Sequence, residues 1–190
     1  MQELERLLPT GPPFAKERSV TFSPLMDQEL ERYLNDHLAG ASGALLLTDE
    51  IAEQPDHPPA KSFFRELKEK VQADRALLGE LQKAIDKEPS VVMKAAGDIA
   101  ARVGGLKLMW EGIKPGSLGM FEALEMLALG VQGKRLLWLV LREIQPWFPE
   151  WSDHDFAGLE LEAIRQRDGI EAWRIEAAKE SLVSEERRVT

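Results

Sequence analysis

Seven residues of this chain keep an unbroken heptad seam: Phe64, Leu67, Val71, Asp74, Leu78, Leu81 and Ile85 recur at alternating steps of three and four. That spacing puts all seven on one side of an α-helix and is incompatible with the two-residue period of a strand. An apolar stripe of this length must be covered, so the helix over about 59–86 has to pack against others. Asp74 is its single polar member, and a carboxylate there needs a partner.

The remaining chain repeats the helical period between proline breaks. Ser23-Pro24 supplies a cap and a first-turn proline for a helix running to about Gln54. Its seam reads Tyr33, His37, Gly40, Ala44, Leu47 and Ile51. Pro55 to Pro59 end it and begin the heptad helix. A third helix is expected over about 90–111, on Val92, Ala96, Ile99, Val103 and Leu106. Ser117 can cap a fourth over about 118–144, with Met120, Leu124, Leu127, Val131 and Trp138 on one side. Leu118, Phe121, Leu136 and Leu139 fall on its other sides, so this helix is expected to be the buried one. The loop that follows holds Trp147, Phe148 and Trp151, read as a lid on the bundle end. A fifth helix, to about Val183, uses Leu159, Ala163, Gln166, Ile170, Trp173 and Ala177.

No segment alternates as a strand does. The fold class is therefore all-α: an up-and-down four-helix bundle with a fifth long helix or an irregular N-terminal arm. Residues 1–22 are that arm, 23–183 form a single domain, and 184–190 are a polar tail expected to fray.

Charge and composition narrow the function classes. The formal net charge of −9 disfavours nucleic acid and anionic membranes as partners. The absence of cysteine rules out thiolate catalysis and cysteine-ligated metals, and it suits the cytoplasm. The acidic start, Met1 to Glu5, lacks the features of a secretory signal, and no segment has the roughly 20 apolar residues of a membrane span.

Three stretches carry a resemblance. They are Tyr33-Leu34-Asn35-Asp36-His37-Leu38-Ala39-Gly40, Phe64-Arg65-Glu66-Leu67 through Asp74, and Glu122-Ala123-Leu124 with Gly130-Val131-Gln132-Gly133-Lys134. Over about residues 28–180 the chain resembles an uncharacterised family of bacterial helical-bundle proteins, itself similar to the ferritin-like superfamily. The resemblance implies a fold and no activity. A ferritin-like di-metal site would need Glu-x-x-His pairs. The residues three before His37, His57 and His154 are Leu34, Gln54 and Trp151, so no such pair exists.

The polar residues expected to face inward are His37, Asp74, Glu122, Glu125, Lys134 and Gln166. Read structurally, they form a hydrogen-bonded network that fixes helix register, with His37 on a carboxylate and Lys134 neutralising another. Read functionally, His37, Asp74, Glu122 and Glu125 line a pocket for a small molecule or a divalent metal ion, with His37 as acid–base group or ligand. Gly40, Ala41, Gly43 and Ala44 either leave room for that ligand or let helices approach closely. The first expectation is a non-catalytic protein without a cofactor, acting as a homodimer or through a protein partner. The alternative is a ligand-binding bundle, an enzyme among the possibilities.

Overall fold

The computed structural model describes residues 24–53, 58–85, 113–114 and 116–188, with side chains from residues 28 and 60 onward in the first two segments. The N-terminal arm, His57 and the helix expected over 90–111 lie outside the described residues. Every regular element among those described is helical: α1 (Pro24–Glu53), α2 (Pro58–Ile85), α3 (Leu118–Ile144), α4 (Phe156–Leu182) and the short α5 (Glu185–Arg188). None of these helices is long and apolar enough to cross a membrane.

Local chemistry sets the helix ends. Gly116 takes φ +73°, a conformation that costs glycine little, and turns the chain into α3. The Ser117 hydroxyl then accepts from the Met120 N–H at 3.2 Å, as a cap should. Asp155 caps α4 in the same way, accepting from Gly158 N–H at 2.9 Å. Two short 3-10 turns, Gln145–Trp147 and Pro149–Trp151, join α3 to α4. The tail expected to fray instead carries α5, and the Arg188 guanidinium donates to the carbonyls of Glu180 and Val183. Those carbonyls lie at the end of α4, where a helix has unpaired acceptors and a cation is favoured.

Among the described residues the core falls into two parts, and together they orient the helices. One cluster joins Leu47 and Ile51 of α1 to Phe64 and Leu67 of α2, Met120 of α3 and Ala177 of α4. The other joins Leu34 and Leu38 to Leu78 and Leu81, Leu141 and Phe156. Thus α1 and α4 run in one sense, and α2 and α3 in the other. α1 packs on α2, α3 packs on α4, and α1 also touches α3. The chain leaves α2 at one end of the bundle and returns at Ile113, a core residue of the other end.

The lid at the first of these ends is real and selective. Trp151 is fully buried and its indole N–H donates to the Leu81 carbonyl at 3.1 Å. Phe148 stacks on it at 4.3 Å between ring centres. Trp147 stays outside, 59% exposed.

Two expectations about packing need correction. The seam of α1 holds at Leu47 and Ile51, but its N-terminal half buries Leu34 and Leu38 instead of Tyr33 and His37. Leu34 and Leu38, larger and more apolar than the His37 and Gly40 of the expected line, take the inward side against Leu78, Leu81 and Trp138. Helix α3 is not buried all round: Leu118, Met126, Leu129, Leu136 and Val140 are 40–61% exposed.

Candidate functional site

The heptad seam of α2 places Asp74 between Val71 and Leu78, facing its neighbours. There Lys134 of α3 meets it, Nζ donating to Asp74 Oδ2 at 2.6 Å. Both side chains are only 14% exposed. Lys134 also donates to Oε1 of the buried Gln166 of α4. Gln166 Nε2 reaches Glu162 at 3.5 Å, and Glu162 accepts from Lys70 at 2.6 Å. One polar chain thus crosses α2, α3 and α4. The lysine hydrogen bond holds the Glu162 carboxyl below its usual range, and Glu162 in turn raises Lys70. Lys134 thus lies against the Asp74 carboxylate, with Gln166 in the same run of hydrogen bonds.

His37 is near this layer but not bonded into it. It borders the same cavity as Asp74 and Lys134. Its ring stands edge-on to Tyr33, 4.7 Å between centres. No hydrogen bond links it to a carboxylate among the described residues. Burial pushes the imidazole below its usual 6.5, and the nearby Asp36 pulls weakly the other way. A group so placed is neutral near pH 7, with one N–H donor and one bare nitrogen acceptor.

Glu122 and Glu125 do not belong to the cluster. Both are exposed, and Glu125 pairs with Arg174 at 3.0 Å. The core line of α3 runs through Met120, Leu124, Leu127 and Val131. At roughly 100° per residue the two glutamates lie roughly 200° and 140° from Met120, on the far side. Their mutual spacing of three was legible, but it said nothing of which side they share. Among the described residues no three His, Asp or Glu side chains converge as metal ligands. The set His37, Asp74, Glu122 and Glu125 therefore does not fit a carboxylate-rich metal ion: two members face away, and Asp74 already holds Lys134.

The cavity lies between α1, α2 and α3 and measures about 230 Å³. Asp36, His37, Gly40, Ala41 and Ala44 border it from α1. Val71, Asp74, Arg75 and Leu78 border it from α2. Gly130, Val131, Gly133, Lys134, Leu137 and Trp138 border it from α3. A Cβ added at Gly40, Gly130 or Gly133 would meet nothing within 4 Å. Close helix contact therefore does not account for these glycines. The indole N–H of Trp138, a residue 1% exposed, has no hydrogen-bond partner among the described residues.

Sequence reasoning missed a buried carboxylate elsewhere. Glu160 of α4 is 8% exposed and is clamped by two α3 arginines, Arg142 at 2.8 Å and Arg135 at 3.2 Å. It ties α3 to α4, and a charge so paired is costly to orphan. Glu160 sits three before Ala163 and next to Leu159 of the α4 seam, a position that by itself named no partner. Set against protein-family models, curated proteins and solved structures, the chain matches none.

Proposed function

We propose that this protein binds a small molecule in the cavity between α1, α2 and α3. The observation that carries the reading is the cleft bordered by Gly40, Gly130 and Gly133 on two facing helices, open to solvent at Gly40 and Gly130. Glycine inside a helix costs about 1 kcal/mol relative to alanine. Here that cost is not repaid by helix contact, and the space created adjoins His37, Asp74 and Lys134. An apolar pocket with a few polar groups at its wall is the usual form of a ligand site. The function is binding, with no reaction assigned.

The test is a fragment screen by protein NMR on the full chain, with Gly133→Leu as control. Fragments should shift amides around Gly40, Val71 and Val131, and Gly133→Leu should abolish the shifts while the fold persists. Shifts that survive Gly133→Leu, or a screen with no binder, would refute the reading.

Self-association is the second reading, favoured by the exposed stripe Leu118, Met126, Leu129, Leu136 and Val140 along α3. At roughly 100° per residue these five fall within roughly 80° of arc. A homodimer built on it would be lost in Leu129→Lys/Leu136→Lys, read by sedimentation velocity; a wild-type chain that stays monomeric at 100 μM-scale loading (about 100 μM being well above usual dimer constants) would end it. A ferritin-like arrangement is part of the same proposal. Its support is the opposed sense of the α1/α4 and α2/α3 pairs with one long connection between them, the pattern of a bundle with a single crossover.

A further inference from the structure

The charges around the cavity cancel. Asp36 and Asp74 oppose Arg75 and Lys134, and Lys134 sits directly on Asp74. Arg75 donates to the Ser42 hydroxyl at 3.1 Å. The cleft is open at Asp36, Gly40, Arg75 and Gly130, and a charged guest would find no unmatched opposite charge deeper in it, so it gains little over its hydration in water. Most of the wall is apolar, including Ala41, Val71, Leu78, Val131 and Leu137. Two hydrogen-bonding groups at the wall remain: the indole N–H of Trp138, which can only donate, and His37, whose ring nitrogens are not engaged by any described residue. Its neutral imidazole offers one donor and one acceptor. The volume, about 230 Å³, exceeds the roughly 150 Å³ that accepts benzene, so one substituted ring fits.

We infer that the ligand is a small, neutral, mainly apolar molecule with one hydroxyl or carbonyl, and that this group hydrogen-bonds to His37 while the apolar body lies against Val71, Leu78 and Val131. The inference rests on the binding reading above and specifies the chemistry of the guest. His37 is the specificity group, and Lys134 and Asp74 satisfy each other without contacting the ligand's polar end.

Four probes of matched shape separate the possibilities: p-cresol, p-xylene, 4-methylbenzoate and 4-methylbenzylammonium, each titrated into the full chain by NMR. The hydroxyl probe should bind at least tenfold tighter than either ion. His37→Phe, which keeps an aromatic ring and removes the hydrogen bond, should weaken p-cresol five- to tenfold and change p-xylene less than twofold, matching the net worth of one hydrogen bond. Should His37→Phe fail to fold, the assigned His37 ring ¹⁵N resonances of the wild type give the same answer, moving with p-cresol and not with p-xylene. An ion that binds tightest overturns the inference and leaves the cavity reading intact. So does a His37→Phe protein, or a ring ¹⁵N signal, that fails to distinguish p-cresol from p-xylene. Binding of none of the four overturns both.

Discussion

Lys134→Met isolates the energetic role of the polar layer. Lys134 donates to Asp74 at 2.6 Å and to Gln166, and both charged side chains are 14% exposed. Removing one member of a fully buried pair costs about 3–5 kcal/mol, because the other charge is left alone. Here the adjoining cavity admits water to Asp74, which lowers the expected cost to about 2 kcal/mol. Asp74→Leu, which completes the apolar seam of α2, leaves Lys134 the Gln166 amide and should cost about 1 kcal/mol. The double variant removes both charges and should lie within about 1 kcal/mol of wild type, since apolar replacement of a buried pair is often neutral or stabilising. The coupling between the two sites is then about 2–3 kcal/mol. Urea unfolding at pH 7, followed by circular dichroism, measures all four proteins through the midpoint at constant slope. A Lys134→Met cost below about 0.5 kcal/mol, or a double variant no better than the sum of the singles, would refute the reasoning.

Three further outcomes follow from single contacts. Gly169→Ala would set a Cβ 2.5 Å from the Phe63 ring, so overpacking of about 1–3 kcal/mol outweighs a propensity gain of about 1 kcal/mol. A melting temperature that rises would contradict it, and in a Phe63→Leu background the loss should vanish. Trp151→Phe removes the donor to the Leu81 carbonyl and should cost about 1–2 kcal/mol in denaturant midpoint; a neutral result would mean the lid holds by packing alone. For His37, burial lowers the native pKa below the usual 6.5, so the unfolded chain takes up the proton first. Its contribution to stability is therefore full above pH 6.5 and is lost as pH falls from there through the native pKa. The groups around it are Asp36 and Tyr33 on its own helix, Asp74 and Arg75 on α2, and Lys134 on α3. Stability measured from pH 7.5 to 5 should fall less steeply in His37→Gln than in wild type; parallel curves would sink the assignment.

The helical content and most helix ends were legible because they rest on local causes. Ser117 caps α3 and Asp155 caps α4 through bonds to residues three further along, and both cap types are visible in the chain itself. The α2 seam was legible in full, since seven apolar or partnered positions at heptad spacing leave only one side for the core. The α1 seam was read one residue out in its first half. Tyr33, His37 and Gly40 share the spacing of a core line, but Leu34 and Leu38 share it equally, and hydrophobicity alone favours the leucines.

What the chain determined unaided is the set of helices and the need of Asp74 for a partner, because periodicity, caps and the cost of a bare charge are properties of short segments. Tertiary structure decided which partner answers. Lys134 and Gln166 arrive from helices 60 and 32 residues distant in pair separation from Asp74 and Lys134, respectively, while Glu122 and Glu125 turn outward. It also decided that Gly40, Gly130 and Gly133 border space. A glycine in a sequence marks either close contact or a void, and only the position of the facing helix separates the two.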